Sequence, residues 1–303
     1  MPEGHTLFRL ARDLRDRFAG RVVSVTSPQG RFVEAAALLD GTEVVDAESW
    51  GKHLFLEFAQ QRHVHVHLGL YGRFDLHDGA PPPPVGQVRL RLATLDEPAN
   101  APVSDPVGDP GLTAGRASYG DLRGATACEL VTPEQVGSVL ARLGPDPLRA
   151  DADWTRAWAS VSRSRAPIGA LLMDQAVLAG VGNVYRAEVL FRHRLHPLRP
   201  GSALRRAQFE SLWQDLVVLM AEGARLGRID TVHAAPMPAQ LALRAGAGEV
   251  DTAGGRVYVY RRQGEPCYVC GSRIRTEVLA GRNLFWCPRC QPKPRARATT
   301  QGR

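Results

Sequence analysis

The chain has 303 residues, 44% of them hydrophobic, and its formal net charge is +7. This length allows two domains with separate cores, and the composition excludes a disordered or collagen-like chain. No apolar run reaches the roughly 18 residues of a membrane span, and charged residues recur from Glu3 to Arg17, where a secretory signal would be apolar. We therefore expect a cytoplasmic protein with no membrane association.

Arginine supplies nearly all of the positive charge, because Lys52 and Lys293 are the only lysines. The planar guanidinium group suits phosphate recognition, so the charge favours a nucleic-acid partner. A high-GC coding sequence also enriches arginine, and that alternative explains much of the bias. The isolated Lys52 suggests a task that arginine cannot perform, such as donating and accepting a proton.

The N-terminal part, residues 1–128, predicts an antiparallel β domain with a leading helix. Apolar residues at helical spacing run from Leu7 to Phe18, and Gly20 ends the pattern. Five β-prone runs follow, with the loop GAPPPPVG before the last of them. These runs are VVSVTS from Val22, EVVDA from Glu43, HLFLEF from His53, HVHVHL from His63 and QVRLRL from Gln87.

The pattern changes at TPEQVGSVLARLGPDP. Thr132 is placed to cap a helix, Pro133 suits its first position, and Gln135 completes a capping box. Helical patterns then dominate, which predicts a helical domain at 132–258. A cysteine module at 259–291 follows, and residues 292–303 predict a basic, disordered tail.

Four of the five cysteines form two Cys-x-x-Cys pairs, Cys267 with Cys270 and Cys287 with Cys290, separated by 16 residues. Two such pairs can place four thiolates around one tetrahedral zinc ion, which leaves no ligand position open for chemistry. The alternative is four unrelated buried cysteines. Arg282 lies between the pairs, where the tip of a hairpin would project.

The stretch LLMDQAVLAGVGNVYRAEVLF predicts two helices joined by a tight double turn. Gly180 and Gly182 interrupt the helical pattern, and Asn183 is expected to cap the second helix. A glycine-rich turn that opens a helix offers backbone N–H groups to a phosphate. An ordinary helix junction is the alternative.

His63, His65 and His67 alternate and therefore share one face of a strand. A metal site is conceivable, and it would make the protein a metal-dependent hydrolase. However, three histidines on one straight strand span too far for a single ion.

In combination these motifs resemble the formamidopyrimidine-DNA glycosylase/endonuclease VIII family of base-excision repair enzymes. The resemblance is carried by MPEG, GK before a strand, HLGLYG, LLMDQ-x-x-LAGVGN-x-Y, and GEPC-x-x-C with GRN-x-FWCPRCQ. MPEG and LYG favour the endonuclease VIII branch. The resemblance implies an α+β fold: an N-terminal antiparallel β-sandwich with a leading helix, then a helical domain with a helix–two-turns–helix motif and a four-cysteine β-hairpin zinc finger.

The same resemblance implies the roles of individual residues. Pro2, exposed by removal of Met1, would be the nucleophile, Glu3 the acid/base group and Lys52 a second catalytic group. The remaining assignments concern DNA and zinc. Leu70 and Tyr71 would fill the gap left by an everted nucleotide, Gly182, Asn183 and Arg282 would grip the DNA backbone, and Cys267, Cys270, Cys287 and Cys290 would hold one structural zinc ion.

A terminal proline is chemically suited to this task. A free α-amino group has a reference pKa near 7.7–8.0, against about 10.4 for lysine, so far more of it is unprotonated at neutral pH. Condensed with a sugar C1′, a secondary amine gives an iminium ion that stays cationic without a proton. The resemblance therefore predicts a bifunctional glycosylase/lyase that removes oxidised bases, pyrimidines in particular, and cleaves the strand by β,δ-elimination.

Three positions depart from the family pattern. Gly69 stands where some endonuclease VIII members carry a polar side chain, which affects the preference for the opposite base. Thr6 replaces a frequent glutamate, and His5 replaces a proline. The segment His233–Gly255 is expected to include the loop that covers the everted base.

The predicted partner is damaged DNA, duplex or single-stranded, bound by a monomer at the nucleoid. Two alternatives stay open: a damage-binding protein that has lost catalysis, and specificity for oxidised purines.

Overall fold

The computed structural model describes residues 2–95, 117–232 and 255–293. The chain forms two compact units, residues 1–142 and 143–303. In the described ranges no helix is long and apolar enough to cross a membrane. The expected base-covering loop lies outside these ranges except for Gly255, as does the predicted tail beyond Lys293. The finer division of the second unit into a helical domain and a zinc finger stays a prediction.

The first unit begins with helix α1 (Gly4–Phe18), which confirms the predicted leading helix. Its buried apolar side chains follow the spacing read from the sequence: Leu7, Leu10, Ala11, Leu14 and Phe18. The chain leaves the helix at Ala19, whose backbone is extended, and Gly20 turns with a φ of 75°. This buried face packs against strands β2 (Thr42–Trp50) and β3 (His53–Phe58).

Eight strands of the first unit form one antiparallel sheet with the order β5-β7-β6-β1-β2-β3-β4-β8. Their bounds are β1 Arg21–Thr26, β2 Thr42–Trp50, β3 His53–Phe58, β4 Arg62–His67, β5 Arg73–Asp78, β6 Val88–Thr94, β7 Ser118–Arg123 and β8 Ala127–Val131. Helix α2 (Val33–Leu39) joins β1 to β2, and helix α3 (Pro133–Leu140) follows β8.

Strand β1 links the two halves of this sheet. Its first residues, 21–23, pair with β2, whereas residues 23–26 pair with β6. Buried apolar residues of both halves share one core with α1. The result is the predicted antiparallel β-sandwich, in which one strand takes part in both halves.

The five strands predicted from the sequence are confirmed, but β5, β7, β8 and α2 were missed. Strand β7, SYGDLR, carries a charge at its centre and has no run of β-branched residues. It is held instead by a buried ion pair, because Asp121 accepts from Nε and Nη2 of Arg91 at 2.6 and 2.8 Å. Such pairing depends on a neighbouring strand, so local propensity does not reveal it.

Helix α3 confirms the predicted capping box. The Thr132 hydroxyl accepts from the Gln135 N–H, and the Gln135 side chain accepts from the Thr132 N–H. Pro133 occupies the first helical position. A cap satisfies backbone donors that lack helical partners, which explains why a local motif located this helix start.

The second unit contains four helices and a hairpin in its described part. They are α4 Trp154–Val161, α5 Ile168–Leu171, α6 Asn183–Arg192, α7 Arg206–Leu226, β9 Arg275–Leu279 and β10 Arg282–Trp286. Helix α6 is buried along nearly its whole length, and α7 packs against it with residues such as Phe209 and Leu216. Helix α7 ends at Gly227, whose φ of 70° is the left-handed conformation that favours glycine.

Candidate active site and nucleic-acid interface

Pro2 and Glu3 lie at the N-terminal end of α1. Glu3 occupies the capping position with extended backbone (φ −120°, ψ −179°), and its carbonyl accepts from the Thr6 N–H at 2.9 Å. The Glu3 side chain is fully buried, whereas Pro2 is half-buried. A buried carboxyl group directly after Pro2 is placed to donate and accept protons at this end of α1.

Lys52 lies in the tight turn that joins β2 to β3. Trp50 and His53 face each other across the hairpin, which leaves Gly51 and Lys52 as the two central residues. The φ of 60° at Gly51 places glycine at the position where a type II′ turn requires it. The Lys52 side chain is half-buried, and its charge acts on the His53 and His67 rings.

The histidines of β4 form part of a stacked cluster. Nδ1 of His53 and Nε2 of His65 lie 2.9 Å apart and share one hydrogen bond. The His65 ring stacks on Phe55 at 4.9 Å, and the His67 ring meets His53 edge-on at 5.2 Å. Burial and the neighbouring rings lower the pKa of His53 to about 4, so this ring is neutral at pH 7. His63 is turned to the Gln61 carbonyl, 3.3 Å away.

These histidines do not form a metal centre. Within the described ranges, the ligand atoms that converge tightly enough to hold an ion are those of the four cysteines, and His63, His65 and His67 form no such group. The interpretation of the chain as a hydrolase with a histidine-bound metal therefore has no support in the geometry.

Leu70 and Tyr71 lie at the tip of the loop between β4 and β5. Their side chains are 39% and 87% exposed, respectively. The loop turns tightly, because the Gly72 N–H donates to the Leu68 carbonyl at 3.0 Å. Large apolar side chains held out on a rigid turn have the character of a wedge for a base stack.

The predicted double turn joins α5 to α6, and Gln175 stabilises it. Its side chain accepts from the Gly180 N–H at 3.0 Å and donates to the Val181 carbonyl at 3.0 Å. Gly180 has a φ of 85°. The expectation that Asn183 caps α6 was wrong, because Gly182 is the capping residue and Asn183 is the first residue of the helix.

The Asn183 side chain is directed to the hairpin instead. Its Nδ2 donates to the Asn283 carbonyl at 3.0 Å, and its Oδ1 accepts from Nη2 of Arg186. The fully buried Arg186 also donates to the carbonyls of Asn283, at 3.1 Å, and Gly169, at 3.2 Å. Arg186 therefore links α5 and the first residue of α6 to β10, a function that its sequence position does not reveal.

The hairpin β9–β10 presents Arg282 as expected. Ala280 and Gly281 form its two-residue turn with φ values of 52° and 70°, which indicates type I′ geometry. Arg282 follows directly at the start of β10 and is exposed. A positive side chain at the tip of a hairpin suits contact with a phosphate.

The four cysteines fit a single zinc ion. All four sulfur atoms lie within 4.8 Å of one another, with Cys267 to Cys290 at 3.9 Å and Cys270 to Cys287 at 3.4 Å. Zinc–sulfur bonds of about 2.3 Å in a tetrahedron place the sulfurs about 3.8 Å apart. The cysteines thus hold one structural zinc, as predicted, and Cys128 is buried apart from them in the first unit.

A further buried polar residue, Glu188 on α6, was missed by the sequence analysis. Its carboxylate accepts four hydrogen bonds: from the N–H groups of Tyr258 (2.6 Å), Val259 (2.9 Å) and Tyr260 (2.9 Å), and from the Thr231 hydroxyl (2.6 Å). Nothing in the local sequence marks this glutamate, because its partners lie 43 to 72 residues further along the chain.

Comparison with known proteins agrees with this geometry. Residues 1–106 match the formamidopyrimidine-DNA glycosylase N-terminal domain, residues 143–234 its H2TH domain, and residues 264–293 a zinc finger found in FPG and IleRS. Endonuclease 8 1 of Mycobacterium tuberculosis is 50% identical over 299 residues, which cover 96% of this chain and all of the relative. Formamidopyrimidine-DNA glycosylase of Thermus thermophilus is 32% identical over 96% of this chain and 98% of the relative.

The fold has also been observed in solved structures. Lactococcus lactis Fpg in complex with abasic-site DNA superposes with a TM-score of 0.72 at 23% identity, covering 96% of this chain and all of that one. The family matches and the two relatives place the chain among the DNA glycosylases with AP lyase activity, which are enzymes of base-excision repair. The chain belongs to the formamidopyrimidine-DNA glycosylase/endonuclease VIII family, on the endonuclease VIII side of it.

Proposed function

We propose that this enzyme removes oxidised pyrimidines from DNA and then cleaves the strand by β,δ-elimination through a Schiff base at Pro2. The 50% identity to endonuclease 8 1 over 96% of the chain carries this proposal, since identity to the formamidopyrimidine-DNA glycosylase of T. thermophilus is 32%. Removal of Met1 would make Pro2 the terminal residue, directly before the buried Glu3, and would supply the required pair of groups.

The reaction begins at the sugar of the everted nucleotide. The Pro2 nitrogen forms a bond to C1′, the N-glycosidic bond breaks, and the base departs with the proton that the Pro2 nitrogen releases. Cleavage of the C1′–O4′ bond opens the ring and leaves an iminium ion, with the proton for O4′ supplied by Glu3. The cationic iminium then acidifies the C2′ hydrogen, because it accepts the electron pair released when that proton leaves.

Elimination follows in two stages. Loss of the C2′ proton expels the 3′ phosphate, and a second proton loss expels the 5′ phosphate. Water then adds to the iminium carbon and releases the sugar fragment from Pro2. Lys52, which a tight turn holds directly before β3, is assigned to hold charge and transfer protons beside the sugar.

Residues of each unit are assigned to contacts with DNA. We assign Leu70 and Tyr71 to the gap that eversion leaves in the stack, because both are exposed on a rigid tip. The N–H groups at Gly182 and Asn183 and the guanidinium of Arg282 contact phosphates. The enzyme acts as a monomer on duplex or single-stranded DNA at the nucleoid.

Borohydride trapping on an abasic-site oligonucleotide tests the chemistry. Wild type should form a covalent adduct, whereas Pro2→Gly should form far less of it while binding DNA nearly as well. Absence of an adduct from wild type that has lost Met1 and still binds DNA would instead support a damage-binding protein without catalysis.

A panel of lesions tests the substrate. Oligonucleotides with an oxidised pyrimidine or an oxidised purine at the same position should show faster base release for the pyrimidine. Faster release of the purine would assign the enzyme to the other specificity and reject this part of the proposal.

A further inference from the structure

The exposed tip of the first unit consists of two neighbouring turns. Residues 68–72 connect β4 to β5, and residues 124–126 connect β7 to β8. Both turns are fixed by His67: its Nδ1 accepts from the Gly69 N–H at 3.2 Å, and its carbonyl accepts from the Thr126 N–H at 2.9 Å. The two turns thus form one rigid surface around Leu70 and Tyr71.

Thr126 occupies the space that a side chain at position 69 would need. A Cβ on Gly69 would lie 1.9 Å from Oγ1 of Thr126 and 3.2 Å from its Cβ, and the φ of Gly69 is +68°. Close contact and backbone conformation therefore both favour glycine there. The hydroxyl that stands in the place of a residue-69 side chain belongs to Thr126, an exposed residue.

Thr126 differs chemically from the rest of this tip. Apart from Tyr71, the other residues of the two turns are glycine, alanine or leucine. Leu70 and the Tyr71 ring suit packing on base faces, which all four bases share. A hydroxyl instead forms hydrogen bonds with the donors and acceptors of a base edge, whose arrangement differs from base to base. Eversion of a nucleotide leaves the opposite base with its pairing edge unpartnered.

We propose that Thr126 is a specificity-determining residue whose hydroxyl contacts the base opposite the lesion. The inference rests on the proposed function in one respect, since it requires that Leu70 and Tyr71 enter the gap in the stack. On this proposal, the Thr126 hydroxyl takes the place of the polar side chain that some endonuclease VIII members carry at the position of Gly69.

The test measures Kd for duplexes with a tetrahydrofuran abasic analogue opposite A, G, C or T. One net hydrogen bond corresponds to about three- to tenfold in affinity, so wild type should show a spread of this size among the four bases. Thr126→Val, which replaces the hydroxyl with a methyl group, should reduce the spread to within about twofold. Thr126→Ser should keep it, as should Thr26→Val, a matched change at an exposed threonine of β1. A single-stranded oligonucleotide should show no difference between wild type and Thr126→Val.

A transplanted side chain provides a second test. Gly69→Asn alone should weaken binding to all four duplexes, because the new side chain collides with Thr126. Combination with Thr126→Gly makes room for it, and asparagine tolerates the left-handed conformation, so the double variant should regain a spread. An unchanged spread in Thr126→Val, or none in wild type, would overturn the inference. The binding measurements require no catalysis, so they still decide the role of Thr126 if the borohydride test yields no covalent adduct.

Discussion

Replacement of Glu188 by glutamine should destabilise the second unit strongly. The carboxylate is fully buried and accepts four hydrogen bonds, two at each oxygen. The amide nitrogen of the new glutamine can donate a hydrogen bond but cannot accept one. It therefore fits best in the place of the Glu188 Oε2, where the Thr231 hydroxyl can rotate and accept from it. The Tyr258 N–H then loses its partner inside the protein.

The cost follows from the contacts. A buried N–H without a partner costs about 1–3 kcal/mol, and each of the two bonds that change from charged to neutral acceptors weakens by about 1 kcal/mol. The free energy of unfolding should therefore fall by roughly 3–5 kcal/mol, a large share of the 5–15 kcal/mol typical of a domain. The hydrogen-bond partners of Glu188 are Thr231 and Tyr258–Tyr260. In the sequence these partners stand before and after residues 233–254, where the base-covering loop is expected, so the loss of these bonds should also slow base release.

Urea unfolding followed by tryptophan fluorescence measures this loss, because four of the five tryptophans lie in the second unit: Trp154, Trp158, Trp213 and Trp286. Glu222→Gln is the matched control, since Glu222 forms an exposed ion pair with Arg225 on α7. A Glu188→Gln midpoint that matches the control would refute the reasoning from buried hydrogen bonds.

Three further predictions concern pH, zinc and salt. Burial lowers the pKa of His5 to about 4 in the folded protein, against about 6.5 in the unfolded chain. The folded state therefore has its full stability above pH 6.5, where the ring is neutral in both states, and it loses stability as the pH falls towards 4. Relative to pH 7.5, this loss should reach about 2 kcal/mol at pH 5. His5→Gln should lose less stability over this interval than wild type or His77→Gln, an exposed control; equal losses in unfolding titrations would contradict it. Cys287→Ser should release zinc and weaken DNA binding, measured by metal analysis and a binding titration; tight binding by the zinc-free protein would reject a structural role. Affinity should fall steeply with salt, and Arg282→Ala should reduce the slope of log K against log salt by about 1; an unchanged slope would remove Arg282 from the phosphate contacts.

Structural features that depend only on residues close together in the chain could be predicted from the sequence. The capping box at Thr132 fixed the start of α3, because capping bonds span three residues. The two cysteine pairs predicted the zinc site for the same reason: ligand spacing within each pair is a local constraint, and the hairpin between them brings the pairs together. The terminal Pro-Glu pair likewise needs no tertiary context to be recognised.

Only the tertiary structure decided which polar side chains meet. Asn183 was expected to cap its own helix, yet its amide donates to a carbonyl 100 residues away. Thr126 carried no signal until two separate turns placed its hydroxyl against Gly69. Glu188 resembles any helical glutamate until four donors surround it. The physical reason is common to all three: the fold, rather than the adjacent sequence, supplies the groups that surround each side chain. The buried Asn183 and Glu188 must in addition find hydrogen-bond partners there.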